Sequence, residues 1–282
     1  MDKLVIGCGY LGRRIAQRWL ALGHRVFATT RTKQYAKDLD KLGLRAVAVD
    51  VAAPGILRIM EPVDTIVYCV GNDRAAGSSM RAIHVDGLAN VLRSLPRFER
   101  LIHVSSTGVY GRGAGDDVDE TAPPQPVDES GKIVLEAEKT LHRRVPNAVI
   151  LRLAGIYGPG RLIRSQALLA GEPIAADPDQ WLNLIHVDDG ALAVLAAEAH
   201  GGAGQVYNVS DGEPVPRRDF YQMLAQLLGA PPPHFAPGEA ARGRDRGNRR
   251  ILNRRLREEL GVQLLYPSYR EGLPASIGKR PE

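Results

Sequence analysis

Three glycines in the first dozen residues, Gly7, Gly9 and Gly12, are spaced G-x-G-x-x-G, directly behind the apolar run Lys3-Leu-Val-Ile. That spacing suits the cradling of a pyrophosphate. Gly7 permits a tight turn, Gly9 lets the backbone approach the ligand closely, and Gly12 lets the next helix pack on the strand with its N-terminal amides toward the phosphates. Tyr10 and Leu11, between the second and third glycines, are candidates to contact the cofactor. The helix that follows carries Leu11, Ile15, Trp19 and Leu22 on one face. The context of strand, glycines and helix gives the pattern its weight, because the bare spacing also serves tight glycine turns in other α/β folds. The chemistry implied is binding of a nicotinamide dinucleotide. Its type is read at the end of the second apolar run, Ala28-Thr-Thr-Arg31-Thr-Lys33. An acid there would accept from the ribose hydroxyls of NAD, whereas an arginine would meet the 2′-phosphate of NADP. No acid and two cations favour NADP(H); otherwise Arg31 and Lys33 only solvate the start of the next helix.

Such a loop needs a sheet to hold it, and the periodicity supplies one. Strands are expected over 4–7, 25–30, 45–50, 65–70, 101–106 and 149–153, and helices over 11–22, 34–42, 80–95 and 132–144. Gly23 and Gly43 stand where helices should end. Runs such as Thr65-Ile-Val-Tyr-Cys-Val70, apolar without clean alternation, suit strands buried on both faces. The fold class is α/β, a doubly wound parallel sheet of the Rossmann type with ligand at the carboxyl ends of the strands. After residue 160 the rhythm changes: a helix over 162–170, an apolar stretch over 183–187, a helix over 189–199, a strand over 205–209 and a helix over 217–228. The expected division is a dinucleotide-binding core of residues 1–160, joined by about 182–212, and a smaller substrate lobe drawn from 161–282 and interleaved with it.

With 282 residues and 44% hydrophobic composition the chain can bury a substantial core. No apolar run approaches the ~20 residues of a membrane helix, and the start reads as a strand rather than a signal peptide. Cys8 and Cys69 are too few for a disulfide framework and lack zinc-like spacing. The expectation is a reduced, cytoplasmic protein without a membrane partner. The net charge of +5 is local. Residues 242–257 hold eight arginines and one acid, Asp245, so the rest of the chain is mildly acidic. This patch has no interleaved aromatics, which argues against nucleic acid.

Five further segments, in order along nearly the whole chain, resemble the extended short-chain dehydrogenase/reductase family, in its nucleotide-sugar epimerase/dehydratase branch. They are Ser105-Ser-Thr-Gly-Val-Tyr-Gly111, Asp119-Glu-Thr-Ala-Pro123 with Pro126, Leu151-Arg-Leu-Ala-Gly-Ile-Tyr-Gly-Pro-Gly160, Ile185-His-Val-Asp-Asp189 and Val206-Tyr-Asn-Val-Ser210. The resemblance implies that Asp50, ending the third strand, and Val51 lie by the adenine, and that Cys69, Val70 and Gly71, ending the fourth, run along the cofactor. It implies that Ser106 bonds the substrate oxygen, although a serine there can equally cap a strand end. Two departures stand out. The family's glycine loop usually reads G-x-x-G-x-x-G. Its active-site Tyr-x-x-x-Lys aligns with Ser130-Gly-Lys-Ile-Val134, and no tyrosine lies between Gly111 and Tyr157. The chain is identified as an atypical member.

The departure matters chemically. In the family a tyrosine phenol moves the proton while hydride passes to or from the nicotinamide, and the lysine lowers the phenol's pKa. A serine without a base cannot do this near pH 7. Tyr110 is a candidate replacement proton donor, or else a residue that shapes the site. Lys132 could supply a cation or face solvent. His186 and Asp188 are read as supports at the junction of the lobes. Arg249 and Arg250, in the arginine patch, are candidates to clamp a substrate diphosphate, the alternative being a solvated loop and helix face. The expected function is that of an NADP(H)-dependent epimerase/dehydratase-like oxidoreductase. Its partner would be a small molecule, a nucleotide-sugar or related polyol, and its proton-transfer residue would be non-standard. The alternative is a non-catalytic NADP(H)-binding sensor or scaffold. A homodimer is implied by the resemblance alone, and no metal site is expected.

Overall fold

The first apolar run forms β1 (Asp2–Ile6), paired in parallel with β2 (Arg25–Thr30) on one side and β4 (Val63–Tyr68) on the other. A computed structural model describes residues 1–53, 61–71, 77–111, 113–236 and 247–278. β3 (Arg45–Ala48) extends the sheet beyond β2, while β5 (Phe98–Ser106), β7 (Val149–Leu153) and β11 (Val206–Val209) extend it beyond β4. The order β11-β7-β5-β4-β1-β2-β3 is parallel throughout. It reverses direction between β1 and β4, so the chain leaving both strands at their carboxyl ends opens a crevice there. This is the doubly wound α/β sheet expected from the sequence.

Alternation across β1 sorts the two cores. Val5 joins α1 (Tyr10–Ala21) and α6 (Val187–His200) on one face, through Ile15, Trp19, Ala191 and Val194. Leu4 and Ile6 join α3 (Gly87–Ser94) and α4 (Glu129–Arg144) on the other, through Leu88, Val91, Ile133 and Leu141. Lys3 is buried among them. Its Nζ meets Glu198 Oε1 at 2.5 Å, and Trp19 Nε1 donates to Oε2 of the same carboxylate at 2.7 Å, which pins α6 to the sheet.

Helix α2 (Lys33–Lys41) and strand β2 fall where expected. Other boundaries move for visible reasons. The fourth strand ends at Tyr68 rather than at residue 70. Cys69 still donates to the Ile6 carbonyl at 2.9 Å, but the chain then bends around Gly7. The helix expected over 80–95 holds a π-helical turn, Ala82–Asp86, before α3 begins. Helix α4 starts three residues early, because Asp128 caps it by accepting from the Gly131 amide at 2.8 Å.

The later chain supplies short pieces: β6 (Asp116–Val118), β8 (Gly155–Tyr157), α5 (Ser165–Leu169), β9 (Trp181–Leu182), β10 (Leu184–His186), β12 (Val215–Pro216), α7 (Arg217–Leu228), β13 (Arg249–Ile251), α8 (Arg254–Glu258) and α9 (Tyr269–Ser276). They pair as β10 with β8, β12 with β9 and β13 with β6. A separate apolar cluster forms around Phe220, Tyr221, Leu224 and Leu273. Leu256, Leu260 and Val262 pack instead into the core under α1 and α6. Among the described residues no helix is long and apolar enough to cross a membrane.

Candidate functional site

A cavity of about 1720 Å³ runs along the carboxyl ends of β1, β2, β4, β5 and β7. Its first end is the glycine loop. Gly7 has φ +88°, and a Cβ there would stand 2.7 Å from the Val70 Cα. A Cβ on Gly12 would meet the Gly7 carbonyl oxygen at 2.7 Å and Cys69 Sγ at 3.0 Å, so this glycine allows α1 to close on the strand ends. A Cβ on Gly9 would meet nothing within 4 Å. The backbone there faces open room above α1, whose first turn has no side-chain cap and no acid. Amides left this way favour an anion, and the residues present fit a dinucleotide pyrophosphate. Tyr10, Leu11, Arg31, Asp50, Val51, Val70 and Gly71 all line the cavity. Tyr10 Oη donates to the Pro159 carbonyl at 3.0 Å. Asp50 is exposed and accepts from the Ala52 amide at 2.9 Å, while the Val51 carbonyl accepts from Asn90 Nδ2 at 3.1 Å.

Burial disfavours the thiolate form of both cysteines. Burial pushes the Cys8 thiol up to about 12 and raises Cys69 as well, and Cys69 Sγ donates to the Gly7 carbonyl at 3.2 Å.

The other end of the cavity is built on the turn that leaves β5. Ser106 lines the cavity and also caps this turn, its Oγ accepting from the Gly108 amide at 3.1 Å. The capping bond leaves the side chain at the cavity wall. Arg249 reaches across from β13 and donates to the carbonyls of Thr107 and Gly111, both at 2.8 Å. Burial depresses its pKa, and the nearby charge of Asp128 opposes that shift. Arg161, Arg164 and Arg217 line the same region, with Trp181 and Asn183.

Arg250 does not join them. It is the next residue of a strand and so faces the other way. Its Nε donates to Asp117 at 2.7 Å on the exposed side, with the guanidinium 5.6 Å from the Trp181 ring. Of the two arginines expected to form a clamp, only Arg249 lines the cavity. Arg242, Asp245 and the rest of 237–246 lie outside the described residues.

Tyr110 is corrected too. It borders the cavity, but its hydroxyl donates to Asn208 Oδ1 at 2.9 Å and accepts from Arg152 Nη1 at 3.0 Å. The phenol is buried, which raises its pKa, and it belongs to a network that Glu138 and Ser105 continue beneath the cavity. Its proton is committed to Asn208 rather than directed into the cavity. Ser130 and Val134 of α4 do line the cavity, while Lys132 and Lys139 are exposed and do not. His186 is buried, with Nε2 3.2 Å from Ser276 Oγ and its ring 3.9 Å from that of Tyr266, and Asp188 accepts from Arg14 Nε at 3.1 Å. Both sit at the junction, away from the cavity lining.

Several lining residues leave no signal in the sequence. Asn183 holds β13 in place, donating to the Arg249 carbonyl at 2.9 Å and accepting from the Ile251 amide at 2.7 Å. Arg161, Arg164, Trp181 and Arg217 carry no local pattern that would mark them. His103, three residues before the end of β5, is buried beside Tyr68, and burial pushes it down to about 4. Among the described residues no cluster suited to a metal ion occurs.

Residues 4–210 match the NAD dependent epimerase/dehydratase family. The chain is 32% identical over 273 residues to Protein YeeZ of Escherichia coli K12, covering 93% of this chain and 95% of that one. The solved structure of a functionally unknown conserved protein from Silicibacter pomeroyi superposes with a TM-score of 0.79 at 32% identity, over 97% of each chain. DesIV, a dTDP-glucose 4,6-dehydratase from Streptomyces venezuelae solved with NAD, superposes with a TM-score of 0.79 at 22% identity, over 98% of this chain and 95% of that one, and so shares the fold. The protein belongs to the NAD-dependent epimerase/dehydratase family, an NAD(P)-dependent, oxidoreductase-like group.

Proposed function

We propose that this protein is an NADP(H)-dependent oxidoreductase of the epimerase/dehydratase type, acting on a nucleotide-sugar or related polyol through a proton-transfer group other than a Tyr–Lys pair. The observation that carries this reading is the single cavity with two unlike ends. One end is the glycine cradle at α1; the other is the arginine-lined turn after β5. Its volume exceeds the roughly 300–1,000 Å³ of a pocket for one small ligand, which suits a dinucleotide and a substrate side by side.

In this reading Gly7, Gly9, Tyr10, Leu11 and Gly12 hold the pyrophosphate and Arg31 meets the 2′-phosphate. Asp50 and Val51 border the adenine, and Cys69, Val70 and Gly71 border the remainder. The bound dinucleotide supplies the hydride acceptor or donor. Ser106 orients the substrate oxygen, and Arg249, with the neighbouring arginines, holds an anionic substrate group by charge-assisted bonds. The lining by Ser130 and Val134, which offer neither phenol nor ammonium, favours a second reading: a dinucleotide-binding sensor without chemistry.

The deciding experiment is hydride exchange between bound NADPH and a panel of sugar nucleotides and polyols. Turnover is expected with at least one of them. Tight NADPH binding without exchange across the panel would remove the oxidoreductase reading and leave the sensor.

A further inference from the structure

Several elements meet at the turn after β5. Ser106 caps it and Arg249 spans it. Helix α4 abuts it so closely that a Cβ on Gly131 would stand 2.4 Å from the Gly108 carbonyl oxygen. This contact sets the first residues of α4 against the turn that Ser106 caps. There Ser130 Oγ donates to Asp128 Oδ1 at 2.5 Å, and the same carboxylate oxygen accepts from the Gly131 amide. Both side chains line the cavity. Serine alone lacks a base, but this serine carries one.

We infer that Ser130 and Asp128 form the proton relay of the oxidoreductase proposed above, an inference that rests on that reading. Ser130 is the group that meets the substrate hydroxyl, and Asp128 is where the proton goes. Neighbouring candidates are committed elsewhere: Tyr110 to Asn208, and Ser105 to Glu138. In the oxidative direction the substrate O–H bond breaks and a new O–H bond forms on Ser130 Oγ. The hydrogen that Ser130 held passes to Asp128 Oδ1. The carbon-bound hydrogen leaves with its electron pair to a nicotinamide dinucleotide, so the alcohol becomes a carbonyl as the dinucleotide is reduced. The reductive direction runs the same transfers backward.

The test uses the full chain with NADP⁺ and UDP-glucose, UDP-galactose, dTDP-glucose and sorbitol as probes. Asp128→Asn retains an oxygen that caps α4 but cannot take up the proton at neutral pH. Ser130→Ala removes the relay, and Ser130→Thr preserves it. For whichever probe turns over, Asp128→Asn and Ser130→Ala are expected to lower kcat by about a hundredfold or more. KM, the NADPH dissociation constant read by fluorescence, and the melting temperature should stay near wild type, and Ser130→Thr should keep most of the rate.

Unchanged kcat in both variants, with a wild type that turns over, overturns the relay and leaves the oxidoreductase reading standing. Loss of kcat in step with loss of melting temperature or of NADPH binding also overturns it, since that is a structural role. Normal NADPH binding with no wild-type turnover on any probe removes the oxidoreductase reading, and the relay with it.

Discussion

Glu138 and Arg152 face each other beneath the cavity in a two-point pair: Nε donates to Oε1 at 3.0 Å and Nη2 to Oε2 at 2.7 Å, with both side chains more than nine-tenths buried. The pair joins α4 to β7, and through Ser105 and Tyr110 it reaches the turn that carries Ser106. Breaking one partner leaves an uncompensated buried charge. Glu138→Gln is therefore expected to cost about 3–5 kcal/mol of unfolding free energy, measured by urea titration. The double replacement Glu138→Leu with Arg152→Met should cost clearly less. Equal losses in the single and double variants would contradict this account.

The glycine loop separates stability from binding. At Gly7 a side chain must adopt a positive φ and collide with Val70, so Gly7→Ala should lose about 2 kcal/mol or more of stability together with dinucleotide affinity. At Gly9 a methyl group meets no protein atom. Gly9→Ala should leave the thermal melt within a few degrees of wild type while weakening NADPH binding by about tenfold or more, because the methyl takes room the pyrophosphate needs. Fluorescence titration and calorimetry on the same samples decide it.

Arg31 directly follows β2 and lines the cavity, and the segment 28–33 contains no acidic residue. Replacing a cation that meets a phosphate removes a charge-assisted bond of about 1.5–3 kcal/mol. Arg31→Ala is expected to weaken NADPH by about tenfold or more and to leave NADH nearly unchanged. Equal effects on the two dinucleotides would refute the assignment of the 2′-phosphate.

Adjacent arginines give a matched pair of controls. Arg249→Ala removes an inward-facing guanidinium and should weaken binding of UDP by about tenfold. Arg250→Ala removes an exposed ion pair with Asp117 and should shift neither UDP affinity nor stability by more than about 1 kcal/mol. Isothermal titration of both variants checks this, and a larger loss from Arg250 would reverse the assignment.

His103 predicts a pH dependence. Its folded pKa is pushed down to about 4 by burial, against an ordinary value of 6.5. Between these values the unfolded chain binds a proton that the folded chain refuses, so stability must rise with pH across that window and fall as acid is added. The full span is worth about 3 kcal/mol. Urea titrations at pH 7.5 and 4.5 should show this difference, and His103→Gln should flatten it. A variant with the wild-type slope would place the effect on other groups.

Much of this architecture was readable because parallel strands buried on both faces appear as short apolar runs, and because Gly7, Gly9 and Gly12 sit in a strand–turn–helix context. The order of the strands explains why the glycine loop and Cys69–Gly71 flank one crevice. What could not be read was set by distant partners. The three-residue strand β13 exists because Asn183 and β6 hold it, and nothing in the sequence says which of two neighbouring arginines faces inward. Tyr110 looked available because its sequence neighbours lie at the site, but its hydroxyl partners, Asn208 and Arg152, come from 98 and 42 residues away. The start of α4 did carry a local signal, Asp128 followed by Glu129, which the apolar periodicity alone passes over.

Gly131 has a consequence beyond packing. Because its lack of a side chain lets α4 rest against the Gly108 carbonyl, the backbone placement of residue 130 is set independently of the side chain that residue 130 carries. The same holds one turn along for Val134. The side chains at these two positions can thus be changed without rebuilding the scaffold that places them. Residue 131 is the position with no room to grow: any larger side chain there would prise the start of α4 from the turn after β5 and carry residues 128–130 away from the cavity wall.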